Sequence, residues 1–269
     1  MSYNYGGRLR AFDPDSGSEL WSRGLGTDFI SNLPNVGHGM VYIAGYQTGF
    51  WIYAVDQASG KLVWKRAGTA GPSPVVSTNS VFLANECRRS SFDPLTGKIV
   101  WQFRDPSNFC STPENAPVYR DRLYVRRGVG SGPSFRVVVD VFEGDTGAKA
   151  ANLFGNAIWP PVISNDVAYL TADNVVRARS VLTKNILWQF PLAASPAMPP
   201  IVVNRKLLLL LSTGELLVID RMTGQQLQTL PLRDAISFPT GVTAGFGAGQ
   251  GMLLVPAGDQ LFALRPAKH

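Results

Sequence analysis

An all-β fold of repeated four-stranded antiparallel units, a β-propeller, follows from three observations in this sequence. A small or apolar residue is followed two positions later by an acid, then by a glycine, and ten positions on by a tryptophan, again and again along the chain. Prolines recur in a second register, at Pro34, Pro74, Pro117, Pro161, Pro200 and Pro239, spaced 39 to 44 residues apart. No stretch shows helical periodicity. A period near forty residues marks a repeat architecture.

Each unit reads as four short strands. The first follows the proline, as in Val75-Val76, Val162-Ile163 and Ile201-Val202. The second is an apolar run a few residues later: 41–43, 81–83, 123–125, 168–170, 207–211 and 253–255. The third alternates apolar residues (Leu9 and Ala11; Ile52 and Ala54; Leu216 and Val218) and ends in an Asp-x-x-Thr/Ser-Gly turn. There the aspartate can accept hydrogen bonds from the backbone ahead of it, and glycine supplies a positive φ. The fourth strand carries the tryptophan, and four such strands are the blade of a propeller.

The copies differ in completeness. Ala11–Asp13–Gly17–Trp21, Ala54–Asp56–Gly60–Trp64 and Ser91–Asp93–Gly97–Trp101 are full. Val141, Glu143 and Gly147 keep the frame but end at Ala151, and Ala178 reaches Trp188 with Lys184 in the glycine position. Val218, Asp220 and Gly224 end at Gln228, and Ala263 opens a last copy. The simplest count is a single domain over 1–269 with six blades, the strand at 20–21 completing the last blade beside 261–264. That count leaves the strand at 9–12 without a place. A seventh, incomplete blade or a fragment of a larger ring are the alternatives.

The pattern Ala-x-Asp-x-x-Thr/Ser-Gly-Lys-x-x-Trp, with the Pro-Val-Val and Val-Tyr strands, resembles the PQQ-like (quinoprotein-like) β-propeller repeat across essentially the whole chain. The resemblance implies that Trp21, Trp64, Trp101 and Trp188 dock blade to blade. It also implies looser seams after the copies that end at Ala151 and Gln228. Fold alone does not fix activity. Non-catalytic relatives, among them the propeller lipoprotein of outer-membrane assembly, imply a protein-interaction or ligand-binding scaffold. The quinoprotein dehydrogenases imply the alternative, a truncated or degenerate oxidoreductase dependent on PQQ and calcium. A binding domain cut from a larger enzyme or receptor is a third reading.

Composition fits a folded domain: 269 residues, 45% hydrophobic, with 27 glycines and 19 prolines. The apolar run at 207–211 is far too short to cross a bilayer as a helix. Met1 to Gly7 carry no secretion signal. The family is mainly periplasmic or secreted, so a leader is expected to have been removed. The net charge is +6, and Arg88, Arg89, Arg104, Arg120, Arg122, Arg126 and Arg127 cluster in sequence. They read either as a solvated face or as a patch for an anionic surface. No aromatic-interleaved motif points to nucleic acid. Cys87 and Cys110 flank one hairpin, whose folding brings them near each other. They form a disulfide in an oxidising compartment or are two unrelated thiols.

Catalytic sets are not found. Only His38 and His269 are present, and His38 lies in a Gly-His-Gly turn, so neither a zinc cluster nor a serine triad assembles from the sequence. If the proline strands are innermost, the residues ahead of them ring one mouth of a central channel: Asn32, Glu114, Asn115, Trp159, Met198 and Ser237. Glu114 and Asn115 are the oxygen donors that calcium would take, and Trp159 is the ring that could stack on a quinone. No catalytic residue and no metal ligand is assigned.

Overall fold

The structure is a computed structural model that describes residues 7–13, 15–26, 29–30, 33–68, 73–84, 88–104, 116–130, 134–155, 157–233, 236, 238, 245–249 and 251–265. The chain is an all-β propeller whose described residues form seven antiparallel sheets, most of them four-stranded. They fall into two compact units, 1–155 and 156–269.

The first unit holds four sheets. Arg8–Phe12 pairs with Glu19–Gly24, which gives the 9–12 strand its partner. The six-blade count had set the 20–21 strand beside 261–264; it lies here in a hairpin with 9–12. The second sheet orders Asn35–Gly37, Met40–Tyr46, Phe50–Asp56 and Leu62–Ala67. A fifth strand, Phe29–Ile30, pairs with the far end of Met40–Tyr46, opposite Tyr46 and Gly45. The third sheet runs Val75–Val76, Val81–Ala84, Arg88–Phe92 and Ile99–Arg104; the fourth runs Val118–Tyr119, Arg122–Val129, Arg136–Glu143 and Lys149–Gly155.

The second unit holds three. Its sheets are Val162–Ser164, Val167–Ala172, Val175–Ser180 and Ile186–Pro191; then Ile201–Val203, Lys206–Leu210, Glu215–Asp220 and Gln226–Pro231; then Gly247–Gly249, Met252–Ala257 and Gln260–Leu264.

Side chains alternate across a strand, so a strand covered on both faces must be apolar at every position. In Met40–Tyr46, Val41 and Ile43 pack with Leu9, Tyr53 and Val55 on one side. Tyr42 and Ala44 pack with Val81, Leu83 and Phe92 on the other. The unbroken leucines behave the same way in the second unit: Leu207 and Leu209 join Tyr169 and Val176, whereas Leu208 and Leu210 join Val255 and Ala257. Each buried valine, leucine, isoleucine or phenylalanine among them contributes roughly 1.5–3 kcal/mol by leaving water.

The tryptophans reach from one sheet to the next. The indole N–H of Trp21 donates to the Gln57 carbonyl (3.0 Å), that of Trp64 to Pro94 (2.8 Å) and that of Trp101 to Gly144 (2.7 Å). In the second unit Trp188 donates to Arg221 (3.0 Å). Each accepting residue immediately follows the turn acid. Each indole also lies against the turn glycine: a Cβ on Gly60, Gly97, Gly147 or Gly224 would stand 2.5–2.7 Å from the ring. A tyrosine joins two of these contacts. Tyr42 and Tyr169 donate to the same carbonyls as Trp64 and Trp188, both at 3.1 Å, each ring 5.9 Å from its indole.

Candidate functional site

In the sheets of four or more strands, the acid turn between the third and fourth strands lies at the end opposite to the connection between the second and third. Of the residues expected to ring a channel mouth, Trp159 and Met198 are among the described ones. In the second unit, Ile158 donates its N–H to Thr171 (2.8 Å) at the end of the second strand, leaving the Ile158 side chain exposed. Trp159 is half-buried, its indole N–H held by the Pro196 carbonyl at 3.2 Å. Pro196 belongs to a loop pinned at several points. Leu192 donates to the Asn174 carbonyl (2.7 Å), the Ser195 hydroxyl to Asn174 Oδ1 (2.8 Å), and Ser212 N–H to the Ser195 carbonyl (2.9 Å). These bonds give Trp159 a fixed frame beside an exposed isoleucine.

Met198, expected at the same mouth, lies instead in the core. It is 0% exposed, among Leu208, Leu210, Leu216 and Val255, because its strand entry faces the adjoining sheet. Asn32, Glu114, Asn115 and Ser237 lie outside the described residues, as do Cys87 and Cys110. Among the described residues no group of three His, Cys, Asp or Glu side chains could hold a metal ion. The indole N–H of Trp159 is already engaged.

The first unit builds its own aromatic cluster at the same end of the second sheet. Tyr46 and Phe50 meet edge to face at 5.0 Å across the hairpin. The Lys65 ammonium sits 4.2 Å above the Trp51 ring and 5.2 Å from Tyr53. The Trp51 N–H donates to the Gln47 carbonyl (3.1 Å), and Lys65 donates to the Gln47 side chain (3.4 Å). The mouth prediction missed this cluster, since it considered only residues preceding the prolines. Four aromatics in the eight residues 46–53 were the signal.

The arginines do not form one solvated patch. Arg89 is 1% exposed, with its guanidinium 4.6 Å from the Phe142 ring and 5.3 Å from Phe103. Arg122 pairs with Glu143 at 2.9 Å, and Arg127 with the buried Asp140 at 2.8 Å, which Lys149 also meets at 3.0 Å. Arg88 and Arg104 are exposed and directly opposite each other in the third sheet. At the turn end, exposed His38 hydrogen-bonds the Ser77 carbonyl at 2.9 Å. The turn carboxylates of Asp13, Asp56 and Asp93 accept from the hydroxyl and amide three residues on, at 2.6–2.8 Å. Those bonds favour the ionised form and hold all three below the usual carboxylate range. Burial, and then the charge of Asp93, pushes the Tyr42 hydroxyl up to about 12.

Solved structures share this fold. BamB from Moraxella catarrhalis is 16% identical with a TM-score of 0.67, over 99% of this chain and 80% of that one. The quinohemoprotein alcohol dehydrogenase from Comamonas testosteroni is 14% identical with a TM-score of 0.65, over 95% of this chain and 61% of that one. A quinohemoprotein alcohol dehydrogenase from Pseudomonas putida HK5 is 14% identical with a TM-score of 0.59, over 84% of this chain. The chain spans half of that enzyme's length. At such identities the likeness is one of fold. No curated protein sequence matches the chain. The family model described as outer membrane protein assembly factor BamB matches residues 5–148, more than half of the sequence, and the chain belongs to that family.

Proposed function

We propose that the chain is a non-catalytic propeller scaffold outside the cytoplasm, which holds a protein partner during the assembly of outer-membrane proteins. The family match over residues 5–148 carries this reading. The loop end supports it in physical terms. Exposed Ile158 and half-buried Trp159 stand on a loop network locked by backbone hydrogen bonds, and a rigid aromatic and aliphatic pair of this kind suits protein contact. No helix among the described residues is long and apolar enough to cross a membrane.

The test places a photo-crosslinking amino acid at Ile158 and, as a control, at exposed Thr183 on the opposite end of the same sheet, in cells of the source organism. Crosslinking at 158 but not at 183 to a component of the outer-membrane assembly machinery is expected. Calcium-dependent quenching of tryptophan fluorescence by micromolar pyrroloquinoline quinone, with dye-linked alcohol oxidation, would overturn the reading in favour of an oxidoreductase.

A further inference from the structure

The residues that follow the tryptophan in an outermost strand run toward the end of the sheet opposite its acid turn. In three successive sheets of the first unit this stretch is cationic: Trp21-Ser22-Arg23, Trp64-Lys65-Arg66 and Trp101-Gln102-Phe103-Arg104. The corresponding stretches of the second unit, 188–191 and 228–231, carry no charge. Arg8, across from Gly24 in the first sheet, and Arg136, across from Val129 in the fourth, stand at the same end. Arg8, Arg66, Arg104 and Arg136 are exposed, and Arg23 and Lys65 are half-buried.

The partners of these cations are neutral. Arg8 donates to the Ser22 hydroxyl (2.8 Å), Lys65 to the Gln47 side chain (3.4 Å), and Arg66 to the carbonyls of Thr96 (2.9 Å) and Gly97 (3.1 Å). Among the described residues no carboxylate pairs with any of the six. Asp28, Glu86, Asp105 and Glu114 lie outside the described residues, and four carboxylates cannot neutralise six cations. The carboxylates of Asp13, Asp56 and Asp93 are held at the other end, in the acid turns. Aromatic rings accompany the cations. Phe135 is 59% exposed directly before Arg136, and Tyr46, Phe50 and Trp51 are half-buried in the cluster that holds Lys65. Cations distributed over four sheets suit a surface that presents many anions side by side, and half-exposed rings suit a boundary between water and hydrocarbon.

We infer that this end of the first unit, marked by Arg8, Arg23, Lys65, Arg66, Arg104 and Arg136, is a contact surface for an anionic phospholipid bilayer. The guanidinium and ammonium groups meet lipid phosphates, Phe135 enters the headgroup layer, and dissolved salt weakens the contact by screening it. The inference goes beyond the scaffold reading. Crosslinking through Ile158, in the second unit, is a separate readout, so either can fail while the other stands.

The test is flotation of the whole chain with vesicles of phosphatidylethanolamine mixed with phosphatidylglycerol, and with vesicles of phosphatidylcholine alone. Binding to the anionic vesicles and not to the neutral ones is expected, and it is expected to fall as salt is raised. Each cation close to an anionic surface is worth roughly fivefold in binding, so Arg104→Gln combined with Arg136→Gln is expected to weaken it at least about tenfold, with an unchanged melting temperature. Lys61→Gln combined with Lys98→Gln removes the same charge from the acid-turn end of the same unit, where salt screens it from the bilayer, and is expected to change binding less than about twofold. Equal binding to both kinds of vesicle, no binding to either, or equal losses from the two double variants would overturn the inference. So would binding of soluble polyglutamate, weakened by the Arg104 and Arg136 substitutions, without binding of vesicles, which would give the surface to an acidic protein segment.

Discussion

Gly17 and Gly97 occupy the same place in the same turn, with φ of +71° and +67°, yet their surroundings differ. A Cβ on Gly17 would meet nothing within 4 Å, whereas one on Gly97 would stand 2.5 Å from the Trp64 indole. Gly17→Ala therefore isolates the cost of a left-handed backbone, about 1 kcal/mol. Gly97→Ala adds displacement of a nearly buried indole, and is expected to cost at least twice as much in urea unfolding. Trp64→Ala removes the ring itself and is expected to cost on the order of 3–5 kcal/mol; an unchanged melting temperature would refute the docking role. Lys184 sharpens the point, since it holds the same backbone conformation at φ 64° without being glycine. Positive φ was the reason sequence offered for the turn glycine. The indole is the stronger reason, and only the structure brings the two together. Tyr42 and Tyr169 went unread for a similar cause: a hydroxyl that shares a carbonyl more than fifty residues away leaves no local pattern.

At the scale of the element, the acid turn was legible almost in full. Asp93 Oδ1 accepts from Leu95 N–H (3.1 Å), Thr96 N–H (2.7 Å) and the Thr96 hydroxyl (2.7 Å), while Gly97 N–H closes onto the Asp93 carbonyl (2.9 Å). All the partners are local, so spacing alone predicts them. The lowered carboxyl values carry a sign. The stability these carboxylates contribute is present in full above their ordinary value of 3.8 and is lost as the pH falls through the lowered folded-state values. Asparagine can keep the turn geometry but does not titrate. The triple variant Asp13→Asn, Asp56→Asn, Asp93→Asn is therefore expected to show a shallower fall of the urea midpoint below pH 3.8 than the parent chain. Identical acid profiles would mean that other groups govern acid unfolding. The opposite end of each sheet was much less legible. The Phe29–Ile30 strand and the network around Ser195 form through main-chain groups of irregular loops, which carry no periodic signature.

Over the whole molecule, the repeat made the architecture readable, because the strand, turn and tryptophan signals reinforce one another at every period. Met198 shows the limit. A position counted back from a proline places a residue along the chain but not on a face of the sheet, and the side chain faced inward. The division at 155 and 156 falls a few residues beyond Ala151, the first fourth strand to lack the tryptophan. In stacked repeats, stability is chiefly a matter of nearest neighbours. Hydrogen exchange of Trp64→Ala is therefore expected to lose protection in Leu62–Ala67 and at residues 93–97 while leaving 206–220 as in the parent; uniform loss would mean that the chain unfolds as one block.

The tryptophan contacts ask little of the sheet that receives them. The accepting oxygens belong to Gln57, Pro94, Gly144 and Arg221, four unlike residues that contribute only a main-chain carbonyl, beside a glycine that contributes only the absence of a side chain. A joint made chiefly of main-chain groups, with the Phe92 ring stacked on Trp64 as an addition at one seam, makes few demands on the side chains of the repeat that follows. A gene built this way can gain, lose or reorder repeats by recombination without a new seam having to evolve each time, and its outward-facing residues are then free to diverge toward different partners.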